Sequence, residues 1–167
     1  MIKKIDITSK DIAQEVLGIQ LPSYMEEAKL IGFYEIPTLN DSIETLRQCG
    51  ETFYGYYENG SICGAISYEL ISETVDIHRL MVHPDYFRKG IANQLLTYLE
   101  ERNPDADSLV VSTGSGNTPA IRFYEKHGFQ RIGERKVADN LKIALFRKDI
   151  AKADGNISVI EKAKKDR

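Results

Sequence analysis

Apolar and polar residues alternate weakly over residues 2–7, the period of a short strand. From there the spacing lengthens. Ile12, Val16, Ile19, Tyr24, Ala28 and Ile31 recur at helical intervals behind Thr8, Ser9 and Asp11, each able to cap a helix. Pro22 falls inside this run, so residues 11–31 predict one bent helix or two short ones. Pro37 marks a loop. Asp41 or Ser42 then opens a second helix, which carries Ile43, Leu46 and Arg47 and stops near Gly50.

The period changes at Thr52. Residues 52–57 are aromatic and rich in strand formers, residues 62–70 repeat that character, and Asn59-Gly60 between them signals a hairpin. A third strand is predicted over residues 75–82. Ile91, Leu95, Leu96 and Leu99 restore the helical period and predict a helix over residues 90–102. Residues 109–113 read as a short buried strand and Gly114-Ser115-Gly116 as a loop. Thr118 and Pro119 read as the N-cap and first residue of another helix, closed by Gly128. Two strands follow near residues 130–136 and 141–147. No repeat or linker interrupts this order. Residues 1–150 are therefore expected to form one domain, with residues 151–167 as a charged tail, either a frayed helix or disordered.

Composition narrows the function classes. The formal net charge of -3 excludes the basic footprint of a nucleic-acid binder. No apolar run approaches the ~20 residues that cross a bilayer, and no membrane partner is expected. The chain reaches Asp6 too early for a secretion signal, so the cytoplasm is the expected compartment. Cys49 and Cys63 are too few for a disulfide framework. His78, His83 and His127 lack zinc-ligand spacing, and no metal is expected.

The most informative stretch runs strand, tight loop, helix over residues 80–96. Arg88, Lys89 and Gly90 stand at the helix start, where the first amides lack intrahelical partners and the dipole favours an anion. Gly90 and Ala92 keep bulk away from any phosphate approaching the backbone, and a diphosphate suits the arrangement. On these residues alone, a solvated basic turn fits as well. The dinucleotide-binding glycine fingerprint and the Walker phosphate loop are both absent.

Three segments in order resemble the GNAT N-acetyltransferase superfamily. They are Leu80-x-Val82-x-Pro84, then Arg88-Lys89-Gly90-Ile91-Ala92 opening a leucine-rich helix, then residues 117–129 from Asn117 through Tyr124 to Gly128-Phe129. The resemblance covers roughly residues 53–146. It implies an α/β (α+β) fold, a central twisted mixed sheet of about six or seven strands flanked by about four helices. Its fourth and fifth strands would splay around a pantetheine arm. It implies acetyl-CoA as co-substrate, with backbone groups of Leu80, Met81 and Val82 on the pantetheine and acetyl carbonyl. The amides of Arg88, Lys89, Gly90, Ile91 and Ala92 would hold the pyrophosphate. Asn117 and Ala120 would face the coenzyme, with Tyr124 near its sulfur. The family's usual Gln or Arg three residues before Gly90 is replaced here by Phe87.

Amine acetylation needs a neutral amine, a donor for the oxyanion and a proton for the leaving thiolate. A strand N–H near Met81 or Val82 is the candidate oxyanion donor. Tyr124 is the candidate general acid, although its place beside Ala120, Phe123 and His127 also suits a core tyrosine. For the base, Asp76 stands where members such as the histone acetyltransferases place a glutamate. On a regular strand Asp76 and His78 share a face with Leu80 and Val82, which makes the imidazole of His78 a second candidate. Glu73 in the preceding loop is a third. The acceptor pocket is expected from the first 50 residues and the 136–141 loop. Tyr24, Met25, Phe33, Tyr34, Tyr54, Tyr56 and Tyr57 are candidates to line it, and Glu26, Glu27 and Glu35 to attract a cation. The predicted activity is transfer of acetyl from acetyl-CoA to a primary amine of a small molecule or peptide, by direct attack in a ternary complex. A non-catalytic acyl-CoA-binding sensor is the alternative. Exposed strand edges leave room for a homodimer.

Overall fold

Asn59 and Gly60 both adopt left-handed backbone, with φ of 53° and 83°, as a two-residue hairpin turn requires. They fold β2 (Thr52–Glu58) onto β3 (Ser61–Ile71). A computed structural model describes residues 1–150; the predicted tail of 151–167 lies outside the described residues. β1 (Ile2–Ile5), β4 (Thr74–Val82), β5 (Ser108–Gly114), β6 (Gln130–Ala138) and β7 (Leu141–Asp149) complete a seven-stranded sheet of order β1-β2-β3-β4-β5-β7-β6. Every pairing is antiparallel except β4 with β5, so the sheet is mixed as the family resemblance implied. Four helices flank it: α1 (Lys10–Ile31), α2 (Ile43–Arg47), α3 (Ile91–Glu101) and α4 (Thr118–Lys126). No helix among the described residues is long and apolar enough to cross a membrane.

α1 runs through Pro22 as one helix, from its Ser9 cap to a left-handed Gly32. Proline removes one backbone bond at a cost of about 3 kcal/mol. Ala13, Val16 and Ile19 are buried before it and Ala28 after it, and this burial on both sides offsets the loss. The two faces of the sheet carry separate cores. α1 packs Val16 and Ile19 against Phe53, Ala65 and Met81. On the other face α3 and α4 bring Leu95, Leu96, Leu99 and Tyr124 against Ile66, Ile77, Val111 and Phe146. Gly64 lets α3 sit close, because a Cβ there would lie 2.8 Å from Ile91 Cγ2. Gly64→Ala is therefore expected to destabilise the fold by about 1–3 kcal/mol through overpacking, read by urea unfolding.

Two features differ from a regular reading. β3 pairs Ser67 with Arg79 and Tyr68 with Ile77, leaving His78 as an extra residue in β4. This bulge reverses the alternation. Asp76 and His78 therefore do not share a face with Leu80 and Val82. Met81 packs with the α1 core, whereas Val82 and Leu80 pack with the α3 core. Second, Asn117, not Thr118, is the N-cap of α4. Its side chain accepts from the Ala120 amide at 3.2 Å, and Thr118 and Pro119 are the first helical residues.

Candidate active site

β4 and β5 pair over only three positions, Thr74 with Ser108 to Asp76 with Val110. Beyond them the strands part, and β4 continues to Val82 without a partner on that side among the described residues. The opening is a fork in the middle of the sheet. Antiparallel pairs alternate between those that exchange hydrogen bonds and those that do not. The His83 amide donates to the Cys63 carbonyl at 2.9 Å, and this sets the phase for the pairs Ala65–Met81 and Gly64–Val82. Met81 thus spends its backbone groups on β3. Leu80 and Val82 turn theirs into the fork, which narrows the expected oxyanion donor from Met81 or Val82 to Leu80 or Val82.

On the α3 face the fork opens into a cavity of about 540 Å³, within the range of ligand sites. Leu80, Val82, Arg88, Gly90, Ile91, Ala92, Ala120 and Tyr124 line it. Of the other residues expected around the coenzyme, Met81 is buried under α1. Lys89 lies over the Tyr86 ring at 5.2 Å, and Asn117 is engaged in capping α4 and in a 3.4 Å bond to Thr113 Oγ1. Phe87 stands on the cavity wall, 44% exposed, where its apolar ring offers contact but no hydrogen bond.

The loop before α3 is built for an anion. Arg88 and Gly90 are both left-handed, with φ of 66° and 75°, and backbone that alternates hands in this way turns successive amides inward as a nest. α3 has no acidic residue in its first turn and no side-chain cap on Gly90. Its first N–H groups therefore remain for a ligand. A Cβ on Gly90 would meet no atom within 4 Å, so the glycine is demanded by backbone hand and not by protein neighbours. These are residues that fit a pyrophosphate.

Tyr124 is buried against Phe123, Phe129 and Phe146. Its hydroxyl makes no hydrogen bond among the described residues. Burial, with Tyr24 and Glu27 nearby, pushes its phenol above the ordinary tyrosine value. The group is thus protonated at neutral pH and available as a donor. The Tyr24 hydroxyl, from α1, lies near the Leu80 amide, and burial followed by Glu27 raises its phenol too. Sequence placed Tyr24 only among seven candidate lining residues. Tyr54, another of them, packs on Tyr68 and Tyr98 within the core, and Tyr34 is exposed.

The candidate bases occupy different places. His78 Nε2 lies 3.0 Å from Glu69 and 3.6 Å from Asp76, and its Nδ1 3.6 Å from Glu51. Glu51 also accepts from Ser67 and Arg79, both at 2.7 Å. With Asp76, Ser112 and Arg135, His78 lines a second cavity of about 380 Å³ where the strands part. Glu73 sits in the turn before β4, at the paired end of the fork, its carbonyl accepting from the Asp107 amide. No group of three or more His, Cys, Asp or Glu side chains arranged to hold a metal ion occurs among the described residues.

A family model for the acetyltransferase (GNAT) family matches residues 14–129. The chain is 40% identical over 146 residues to the UPF0157 protein YqkA of Bacillus subtilis, covering 87% of this chain and 43% of that protein. It is 33% identical over 75 residues to the peptidyl-lysine N-acetyltransferase YiaC of Escherichia coli, covering 45% of this chain and 47% of that protein. The chain thus spans less than half the length of these two curated relatives. Among solved structures, the ribosomal-protein-S18-alanine N-acetyltransferase from Escherichia coli has the same fold, with a TM-score of 0.74 at 17% identity. That likeness covers 93% of this chain and 97% of that one. PaiA N-acetyltransferase from Thermoplasma acidophilum, solved with coenzyme A, gives 0.72 at 18% identity over 90% and 99%. A forked mixed sheet with a nest-like loop at α3 and a family match across most of the chain agree: this chain belongs to the GNAT acetyltransferase family.

Proposed function

We propose that the chain transfers an acetyl group from acetyl-CoA to a primary amine of a small molecule or peptide, by direct attack in a ternary complex. The observation that carries this reading is the fork: two strand amides, at Leu80 and Val82, face a cavity that runs from an anion-binding loop to the hydroxyl of Tyr124. Acetyl-CoA supplies the activated acyl group as a thioester. The amides of residues 88–92 hold its pyrophosphate, and Leu80 and Val82 donate to the pantetheine and to the carbonyl oxygen as it gains charge. Tyr124 donates to the departing sulfur. The acceptor approaches from the opposite face, where Asp76, Glu69 and Glu51 surround His78 and favour a cationic amine.

Release of CoA thiol across a panel of amines tests the reading. Acetyl-CoA binding without turnover on any amine would favour the acyl-CoA sensor instead. Tyr124→Phe is expected to lower kcat about 10- to 100-fold while the coenzyme Kd stays within about threefold. An unchanged kcat removes Tyr124 from the donor role.

A further inference from the structure

α1 crosses the open end of the fork and touches both strands. Glu27 Oε2 accepts from the Thr113 hydroxyl at 3.3 Å and the Gly114 amide at 3.5 Å, both at the end of β5. Its second oxygen, Oε1, has no hydrogen-bond partner among the described residues. One turn earlier the Tyr24 hydroxyl lies near the Leu80 amide of β4, and Ser23 lines the coenzyme cavity. Residues three apart on a helix share a face, so Tyr24 and Glu27 both present to the fork. Tyr124 stands beside them on the coenzyme side, and Arg79 and Glu51 lie beyond Tyr24. One oxygen of Glu27 is thus anchored to β5, the other has no hydrogen-bond partner among the described residues, and the carboxylate lies near enough to the Tyr124 phenol to act on it electrostatically.

We propose that Glu27 is the catalytic carboxylate that receives the proton of the acceptor ammonium. This rests on the acetyltransferase reading above. The ammonium gives one proton to Oε1, and the neutral nitrogen attacks the thioester carbonyl. The N–C bond forms and the C–S bond breaks. A second nitrogen proton reaches the departing sulfur through the Tyr124 hydroxyl, giving amide and thiol, and Glu27 returns its proton to water. The β4 candidates are less well placed for this transfer. Asp76 precedes Leu80 by about 13 Å of strand and Glu73 by about 23 Å, and His78 is enclosed by carboxylates.

Glu27→Gln keeps an oxygen for Thr113 and Gly114 and removes the base. The probes are acetyl-CoA with n-butylamine, which is protonated at pH 7 and needs a base, and with hydroxylamine, which is largely neutral and needs none. The expected result is a fall of about 100-fold in kcat/KM for n-butylamine, with hydroxylamine turnover and acetyl-CoA affinity within about threefold of wild type. Equal losses with both amines, or no loss, overturn the assignment. Thr113→Val cuts one anchor and keeps the carboxylate. It should cost n-butylamine turnover far less than Glu27→Gln; a matching loss would make Glu27 a strut and not a base. Wild-type protein that binds acetyl-CoA yet acetylates no amine of the panel, these two included, would overturn the transferase reading, and this inference with it.

Discussion

Gly90→Glu is expected to weaken acetyl-CoA binding about 1,000-fold. A carboxylate about 4 Å from a phosphate charge in a partly screened site costs about 4 kcal/mol, and each 1.4 kcal/mol is tenfold in affinity. The left-handed backbone at φ 75° adds about 1–2 kcal/mol of strain for any residue with a Cβ. The open space around Gly90 means that the variant clashes with nothing and should fold. Gly90→Asn separates the two effects, since asparagine tolerates the left-handed region and carries no charge; it should lose less than about tenfold. A folded Gly90→Glu protein with wild-type affinity would move the phosphate site elsewhere.

Arg79→Ala is expected to cost about 3–5 kcal/mol of stability, a fall of about 6–20 °C in Tm. The guanidinium donates to Glu51 at 2.7 Å and to Asp41 at 3.0 Å, and the Arg79 and Glu51 side chains are only 9% and 8% exposed. Removing it leaves Glu51 with the Ser67 hydroxyl and the His78 imidazole at 3.6 Å, and Asp41 with the neutral donors Gln20 and Thr45. The same network joins the segment before α2 to β4 beneath the acceptor side. The cavity beside α3 lies on the other face, so the variant should bind acetyl-CoA within a few fold of wild type while folded. A stability loss below about 1 kcal/mol in urea would mean that the pair is screened like a surface bridge.

Much of the fold was legible because its signals are local. Asn59-Gly60 specifies a turn by backbone hand, the Leu95, Leu96 and Leu99 stripe specifies α3, and residues of the segments at 80–92 and 117–129 line one cavity beside α3. Other features were set by tertiary pairing and left no local mark. The bulge at His78 arises from how β4 meets β3, and it moved Asp76 and His78 to the face opposite Leu80 and Val82. Which strand amides are free depends on the phase of that same pairing. Pro22 signalled an interruption, but burial on both sides of it carries α1 through. Glu27 was one of three acidic residues without distinction. Glu26 pairs with Lys29 at the surface, and only the path of α1 across the fork brings Glu27 to Thr113 and Gly114. Asn117, which the resemblance implies as a coenzyme contact, caps α4 and ties it to β5, a role that its sequence position did not reveal.

Calorimetric titration of the wild-type protein with acetyl-CoA, set against CoA, ATP and NAD, tests the central claim most directly. Saturable one-site binding of acetyl-CoA is expected, with CoA competing and ATP and NAD far weaker, because, of these, only acetyl-CoA and CoA carry a pantetheine arm that could enter the fork while the pyrophosphate sits at the loop before α3. A folded protein that binds none of them, or binds ATP or NAD as well as acetyl-CoA, would contradict it.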